Sequence, residues 1–318
     1  MIDATVIVVS YNKLPYTQLC LEGMLQGDPR PAQIIVVDNG SIDGSREYLS
    51  RSFLSLCRTS RVDFSLLNNE SNLGACTARN QALELAAGQY LAFADNDLAV
   101  RSRNWLGVLA ECLESAPRVG IAGPKLVYPF PPYDIECAGV AISATGRVQY
   151  RGRGEPSGPQ AFQPVSGVSG PQAFQPVSPT DEAGETQARK PVVLASPVQC
   201  LISACWLMKR AVYEEVGGLD EVFNPAQYED FDLCYRAREA GWEVWYTPRA
   251  EMYHYENTTT AGSPSLNFRY VTIRNGLEFK RRWQHRFSAE GGPPDEECQW
   301  RELPTKPIEE TGVPPIVG

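Results

Sequence analysis

The chain of 318 residues has a formal net charge of −9, a pI near 5.0 and 43% hydrophobic residues. This length and apolar content allow one large α/β domain or two small ones. The acidic balance argues against a nucleic-acid partner, so a bound phosphate must be met by a local cation, a helix N-terminus or a few arginines. The nine cysteines include no Cys-x-x-Cys pair, which predicts reduced thiols and a cytoplasmic protein.

Strand and helix patterns alternate over residues 1–125. Short apolar, β-branched runs predict strands, and helical spacing of apolar residues predicts the helices between them. In chain order the predicted elements are strand 6–10, helix 15–25, strand 33–38, helix 43–56, strand 64–67, helix 74–87, strand 90–94 and helix 105–115. This alternation predicts an α/β fold with a mostly parallel sheet covered on both faces.

Residues 126–288 follow a different pattern and are predicted to form the second half of the same globule. The predicted elements are a hairpin of residues 136–143 and 147–151, helices at 211–216, 230–240 and 266–283, and strands at 242–246 and 250–254. A low-complexity insert at about 154–191 contains a ten-residue repeat within residues 157–178 and predicts a mobile surface loop. Residues 289–318 are acidic and rich in Pro and Gly, which predicts a disordered tail.

Two carboxylates, Asp95 and Asp97, stand one residue apart where the fourth predicted strand ends. Open α/β sheets bind ligands at the carboxyl ends of their strands. Two negative charges this close need a cation or a positive partner. The pair therefore predicts a metal site for phosphate oxygens, and an ordinary turn or helix cap is the alternative.

Polar residues also follow the first and second predicted strands. Ser10, Tyr11 and Asn12 come after the first strand, and Asp38 closes the second. Their hydroxyl, amide and carboxylate groups, together with one aromatic face, suit a ribose or a base. Strand-to-helix turns with side-chain caps are the alternative explanation.

The helix predicted from residue 74 is preceded by Asn72 and carries Arg79. Gly74 would allow a ligand to approach the backbone closely. The planar guanidinium of Arg79 offers a fixed pair of donors to a diphosphate. A plain helix start with a surface arginine is the alternative.

In this order and spacing, the motifs resemble the family 2 glycosyltransferases with the GT-A fold, and most of all bacterial rhamnosyl- and galactofuranosyltransferases. The resemblance covers residues 1–283 apart from the insert. It is carried by residues 6–12, 35–41, 72–80, 93–97, 203–210, 217–220, 228–236, 240–242 and 252–254.

The resemblance implies roles at the donor side. Asp95 and Asp97 match the family's D-x-D motif, which holds a divalent ion at the donor diphosphate, with Asn96 beside the nucleotide sugar. Such an ion neutralises charge on the departing nucleoside diphosphate. Asp38 matches a carboxylate that contacts the base or ribose. His254 matches a histidine that completes the metal site in some relatives, and an imidazole ligand favours Mn²⁺ over Mg²⁺.

The resemblance also implies roles at the acceptor side. Asp230 matches the general base of a Glu-Asp pair, which gives inversion at the anomeric carbon, and Glu229 is expected near the acceptor. An acidic helix start is the alternative for this motif. Trp206 could stack on an acceptor sugar, or it could belong to the core.

The expected activity is metal-dependent, inverting sugar transfer from a nucleotide diphosphate sugar, with UDP or dTDP favoured. The acceptor would be a hydroxyl of a glycan, a lipid-linked glycan or a small metabolite. A sugar-nucleotide nucleotidyltransferase and a non-catalytic nucleotide-sugar-binding protein of the same fold are the alternatives. The basic helix at 266–283 could touch the inner face of a membrane, and a plain docking helix is the alternative.

Overall fold

A computed structural model describes residues 1–157, 195–256, 258 and 267–318. The predicted insert therefore lies outside the described residues from residue 158 onward. None of the helices in the described part of the chain has the length and apolar content needed to cross a membrane.

The strands of the described residues are labelled β1 to β12. They are Ile2–Ser10, Pro31–Asp38, Asp63–Asn68, Tyr90–Asp95, Leu98–Val100, Val119–Val127, Ile135–Cys137, Val140–Ile142, Val148–Tyr150, Ser196–Pro197, Cys205–Lys209 and Glu243–His254. The α-helices, α1 to α9, are Leu14–Gln26, Ser45–Tyr48, Leu54–Ser60, Ala75–Leu83, Trp105–Glu114, Arg210–Val216, Glu229–Glu239, Phe268–Phe287 and Ile308–Thr311.

The described strands build one ten-stranded sheet and a separate antiparallel pair, β8 and β9. The order of the strands across the sheet is β10-β12-β6-β11-β4-β1-β2-β3. In addition, β5 pairs with β12 and β7 pairs with β6. β1 runs parallel to β2 and β4, and β2 runs parallel to β3. β11 is antiparallel to both of its neighbours, β4 and β6. The predicted fold, a mostly parallel sheet with a small antiparallel element, is confirmed.

The central strands are apolar because helices cover both of their faces. Residues 6–8 of β1 and 34–37 of β2 are fully buried. A continuous apolar run is the pattern expected of a strand without a solvent face. For this reason the positions of these strands could be predicted accurately from the sequence. The polar last residue of each strand marks the edge where the sheet opens.

Several predicted elements differ in detail. The helix predicted at 43–56 is α2 and α3 joined by a π-helical turn, Leu49–Phe53. α4 ends at Leu83 rather than near residue 87. In the predicted hairpin, only β8 and β9 pair with each other, because β7 joins the edge of the large sheet beside β6. The strands predicted at 242–246 and 250–254 form the single strand β12, which has an irregular register against β6.

Residues 289–318 lie against the globule, so the predicted disordered tail is not what the structure contains. The backbone N–H of Val317 donates to the carbonyl of Arg101 at 2.7 Å. The N–H of Ile308 donates to the hydroxyl of Tyr16 at 3.0 Å. Glu290 is buried and forms an ion pair with Arg238 at 2.8 Å. The composition of residues 289–318 gave a wrong prediction of disorder, because a few specific contacts hold this segment against the globule in spite of its high content of Pro and Gly.

Candidate active site

The carboxyl ends of β1 and β4 open into a cavity of about 550 Å³. The register of the parallel strands places Val9 of β1 beside Asp95 of β4. The opposite wall comes from the first residues of α7, the end of β12 and the start of α8. The cavity therefore lies at the sheet edge where ligands bind in open α/β folds.

Asp95, Asp97 and His254 meet at this edge, with one ligand atom of each within 4.8 Å of the others. Nε2 of His254 lies 3.3 Å from Oδ1 of Asp97. The pairing of β12 with β5 brings them together, since His254 lies opposite Leu98. Two carboxylates and one imidazole are a donor set that suits a divalent cation. The sequence thus predicted a group that the fold assembles.

Glu136 holds the other nitrogen of this imidazole. Its Oε2 lies 2.8 Å from Nδ1 of His254, and the carboxylate is almost fully buried. A carboxylate on one ring nitrogen sets the orientation of the ring and leaves the other nitrogen for a metal. The sequence predicts only a hairpin at residue 136, because the partner of Glu136, His254, lies in a distant strand.

The neighbouring charges determine the pKa values of Asp95, Asp97 and His254. Burial opposes the charged imidazole, but the carboxylates of Glu136 and Asp97 outweigh burial and hold the pKa of His254 well above its usual value. Burial would raise the pKa of Asp97, yet the imidazolium brings this pKa below its ordinary value. Burial raises the pKa of Asp95 in spite of the nearby Arg79. Asp97 is therefore the more strongly anionic of the two aspartates.

Arg79, from α4, links the two sides of the cavity and is almost fully buried. It forms an ion pair with Asp95. Its Nη1 donates to Oγ of Ser203 at 2.8 Å and lies 3.6 Å from Oε1 of Glu229. The guanidinium also lies 5.2 Å from the centre of the Phe93 ring. Arg79 is therefore part of the site, and a surface position is excluded.

Asp230 and Glu229 begin α7 and line the cavity. The backbone N–H groups of Ser203 and Phe231 donate to the two oxygens of Asp230, at 3.1 Å and 2.8 Å. Burial raises the pKa of Asp230 to about 6 against the effect of these bonds. Burial and the Asp230 charge raise the pKa of Glu229 to about 8. At neutral pH, Asp230 is an anion of increased basicity and Glu229 retains its proton.

Tyr11, Asn72 and Gly74 line the far end of the cavity, together with Asn39. Oδ1 of Asn72 accepts hydrogen bonds from Asn39 Nδ2 and from the N–H of Gly74, each at 2.9 Å. Gly74 has a φ of +88°, and a Cβ there would collide with the side chain of Asn224. The side chain of Asn224 occupies the space beside this glycine, and the expected close approach of a ligand to the Gly74 backbone stays a prediction.

Ser10, Asn12 and Asp38 lie behind the cavity and do not line it. Oδ1 of Asp38 accepts a hydrogen bond from the N–H of Ser41 at 3.0 Å and pairs with Arg46 at 3.1 Å. Its Oδ2 is buried and has no hydrogen-bond partner in the described part of the chain. These residues shape the loops that follow β1 and β2, and their contacts with a base or ribose stay predictions.

Two other predicted ligand contacts are more deeply buried than the sequence suggested. Trp206 is fully buried beside Phe93, with 5.6 Å between ring centres, and does not line the cavity. The predicted acceptor contact of Trp206 is therefore wrong, because β11 is a central strand covered on both faces. Asn96 does line the cavity, but its amide donates to the hydroxyl of Thr17 at 3.0 Å.

The mouth of the cavity contains residues that the sequence analysis did not identify as site residues. Trp300 lines it with its side chain 54% exposed, and the ring of Tyr150 meets the indole edge-on at 5.3 Å. The guanidinium of Arg153 lies 4.0 Å from the indole centre and pairs with Glu256 at 2.9 Å. A lone Trp in a polar tail was the only sequence signal for this surface.

Residues 5–136 match the sequence profile of glycosyl transferase family 2. The uncharacterised protein y4gI of Sinorhizobium fredii is 28% identical over 259 residues, which are 79% of this chain and 24% of that protein. The N-acetylglucosaminyl-diphospho-decaprenol L-rhamnosyltransferase of Mycobacterium tuberculosis is 27% identical over 271 residues, which are 82% of this chain and 78% of that protein. The chain thus spans about a quarter of the first relative and most of the second.

Among solved structures, GalNAc-T7 with UDP, GalNAc and Mn²⁺ superposes with a TM-score of 0.62 and 16% identity, over 89% of this chain and 49% of that chain. The mannosyltransferase PcManGT from Pyrobaculum calidifontis, in complex with GDP-Man and Mn²⁺, gives a TM-score of 0.53 and 14% identity, over 91% and 73%. The fold is the GT-A fold of nucleotide-sugar transferases. The matched profile and the named relatives make this chain similar to the family 2 glycosyltransferases, with the profile match confined to residues 5–136.

Proposed function

We propose that this chain transfers a sugar from a nucleotide diphosphate sugar to an acceptor hydroxyl, in a metal-dependent reaction that inverts the anomeric carbon. The supporting observation is that one cavity holds both a metal-type donor set and a basic carboxylate. Arg79 links them, since it pairs with Asp95 and donates to Ser203, whose N–H in turn donates to Asp230.

The nucleotide end of the donor would occupy the part of the cavity lined by Tyr11, Asn39 and Asn72. An aromatic ring and two amides suit the stacking and hydrogen bonding of a base and ribose. UDP or dTDP is favoured by the resemblance to bacterial rhamnosyl- and galactofuranosyltransferases. GalNAc-T7, which shares the fold, was crystallised with UDP.

Asp95, Asp97 and His254 would hold the cation, which would take the place of the proton on Nε2 of His254. When bound, a divalent ion would neutralise the charge that develops on the departing nucleoside diphosphate. We favour Mn²⁺ because imidazole is a better ligand for a transition metal than for Mg²⁺. The two named solved structures, of GalNAc-T7 and PcManGT, contain Mn²⁺. Arg79 would supply a second positive charge beside the same carboxylates.

Asp230 would act as the general base. Its pKa of about 6 keeps it ionised at neutral pH and makes it a stronger base than an ordinary aspartate. The acceptor hydroxyl would lose its proton to Asp230 as its oxygen bonds to the anomeric carbon, and the bond to the nucleoside diphosphate would break on the opposite side. Attack from the opposite side is what gives inversion.

The acceptor is proposed to be a glycan, a lipid-linked glycan or a small metabolite. The relative from Mycobacterium tuberculosis is named for a diphospho-decaprenol acceptor. One surface of α8 would suit a lipid-linked acceptor, because Tyr270, Ile273 and Leu277 expose 63%, 55% and 64% of their surfaces on one face of the helix. Residues 268–287 include six basic residues and one acidic residue. We propose that this face rests on the anionic inner leaflet of a membrane.

The test is a calorimetric screen of nucleotide sugars, each with and without Mn²⁺, followed by product analysis. Binding of one nucleotide class that strengthens with Mn²⁺, and release of free nucleoside diphosphate on adding acceptor, would support the proposal. Release of pyrophosphate would favour a nucleotidyltransferase. Donor binding without turnover across a broad acceptor panel would favour a non-catalytic binding protein. Retention of the anomeric configuration in the product would contradict the direct displacement.

A further inference from the structure

We propose that Trp300 is a platform on which a sugar ring of the acceptor stacks. This inference rests on the proposed function, because it assigns the acceptor side of the same cavity. Trp300 lies outside the matched profile of residues 5–136.

The first argument is the exposure of the indole. Trp300 leaves 54% of its surface open although tryptophan is among the most apolar side chains, and it does so at the wall of the cavity. Val148, Tyr150 and Phe268 line the cavity as well. An open aromatic surface in a concave site is typical of a ligand contact. The C–H face of a pyranose ring is an apolar surface of matching size.

The second argument is that the indole is held in place. One of its faces lies 4.0 Å from the guanidinium of Arg153. The backbone is anchored on both sides of Trp300, since the carbonyl of Arg301 accepts from Arg153 Nε at 2.8 Å and the carbonyl of Glu297 accepts from Gln149 Nε2 at 2.9 Å. A fixed ring loses little conformational entropy when a ligand stacks on it. The position of Trp300 is therefore suited to binding.

The third argument is a polar group, Glu256, that lines the same cavity and is linked to the indole through Arg153. Glu256 forms an ion pair with Arg153, which also contacts the indole. Its hydrogen bonds from Tyr128 and Arg153, at 2.8 Å and 2.9 Å, both end on Oε2. Within the described residues, Oε1 can therefore accept a hydrogen bond from a ligand hydroxyl. An aromatic face and a carboxylate oxygen in the same cavity match the apolar C–H face and the polar hydroxyls of a sugar.

The acceptor fits this place better than the nucleobase does. The nucleotide end of the cavity is formed by residues after β1 and β2, whereas Trp300 packs on β9 through Tyr150. Tyr150, Trp300 and the proposed base Asp230 all line the same cavity. A sugar on Trp300 would therefore share this cavity with the carboxylate that is proposed to remove the acceptor proton.

The experiment compares the wild type with Trp300→Ala, Trp300→Phe and a control, Val313→Ala, which alters an exposed tail residue away from the cavity. The probes are methyl α- and β-glycosides of hexoses and 6-deoxyhexoses. Binding is measured by saturation-transfer NMR on protein loaded with Mn²⁺ and UDP or dTDP, whichever binds. Calorimetry gives the nucleotide affinity of each variant, and thermal melting verifies that each variant is folded.

We expect at least one glycoside to bind the wild type and the control equally. Its Kd should rise at least tenfold in Trp300→Ala and less than threefold in Trp300→Phe, while the nucleotide affinity changes less than twofold in all variants. Equal glycoside binding by Trp300→Ala, or no glycoside binding by a wild type that binds nucleotide, would overturn the platform. A wild type that binds no nucleotide or nucleotide sugar would instead contradict the proposed function.

Discussion

Glu136 and His254 form a buried pair in which Oε2 of the carboxylate lies 2.8 Å from Nδ1 of the ring, while Nε2 faces Asp97. The pairing joins β7 to the end of β12, on the far side of the imidazole from the cavity carboxylates. Its effect on the chemistry is indirect, because Glu136 sets the direction of a nitrogen that would contact the metal.

Replacing Glu136 by Gln should weaken Mn²⁺ binding by about 10- to 100-fold, because the imidazole loses its anionic partner. The measurement is calorimetric titration of Mn²⁺ into the protein. Glu155→Gln, at an exposed position nearby in the chain, is the matched control and should bind Mn²⁺ normally. Unchanged affinity in Glu136→Gln would show that the pair has only a packing role.

Asp97 and Asp95 should contribute unequally to the metal site. The pKa of Asp97 is lowered, whereas the pKa of Asp95 is raised and its carboxylate already pairs with Arg79. We expect Asp97→Ala to abolish detectable Mn²⁺ binding and Asp95→Ala to leave weak binding. Asp63→Asn, at an exposed strand end, is the control for general charge effects. Metal-dependent donor binding that persists in Asp97→Ala would contradict the assignment.

The rate of transfer should depend on the ionisation of Asp230. Because protonated Asp230 cannot accept a proton, kcat/KM should fall about tenfold per pH unit below pH 6 and level off above it. Asp230→Asn should lower kcat by about 10²- to 10⁴-fold and retain donor binding.

Glu229→Gln provides the comparison for Asp230. Glu229 has a pKa of about 8, so it is mostly protonated at neutral pH and glutamine reproduces that form. This variant should lose less activity than Asp230→Asn and keep the decline near pH 6. Near-normal turnover by Asp230→Asn, or loss of the decline in Glu229→Gln, would assign the base elsewhere.

Gly74→Ala should destabilise the fold and the donor end of the cavity. The residue has a φ of +88°, and the new Cβ would collide with Asn224. Gly217→Ala is the matched control, because Gly217 has a φ of +79° with nothing within 4 Å of its Cβ position. Backbone strain of about 1–3 kcal/mol is expected in both variants. Urea unfolding should show a larger loss in Gly74→Ala, and an equal loss would mean that Asn224 moves aside freely.

The exposed face of α8 should bind anionic lipid. Wild-type protein should sediment with phosphatidylglycerol vesicles at low salt and less at high salt, since basic residues contribute to the attraction. Ile273→Glu combined with Leu277→Glu should reduce sedimentation, whereas Val313→Glu, on the exposed tail, should not. Equal sedimentation with uncharged phosphatidylcholine vesicles would contradict the electrostatic part of the proposal.

The features that depend on local sequence pattern were predicted well. Apolar runs located β1, β2 and β4 because these strands are buried on both faces, and the residues at their ends followed from strand direction. Asp95 and Asp97 could be found this way, since only Asn96 separates them in the chain. The contact of His254 with Asp97 needed the resemblance to a family, because only the pairing of β12 with β5 creates it.

The features that escaped prediction depend on distant contacts. Glu136 acquires its role from a ring on another strand, and Trp300 reaches the cavity because the tail folds back onto β9. Trp206 is the opposite case, because it was predicted as a possible ligand contact and belongs to the core. An indole beside a predicted site suits sugar stacking and core packing equally well in the sequence, and only the position of β11 between β4 and β6 decides for the core.

Ser203 contacts both catalytic elements of the proposed reaction, since its N–H donates to Asp230 and its Oγ accepts from Arg79. In the proposed reaction, donor preference and acceptor reactivity are consequently not independent traits. A substitution selected at residue 203 for a new acceptor would also disturb Arg79, which pairs with Asp95 on the metal side of the cavity. A change of specificity, whether by evolution or by engineering, would therefore have to keep the contacts of residue 203 with both Arg79 and Asp230.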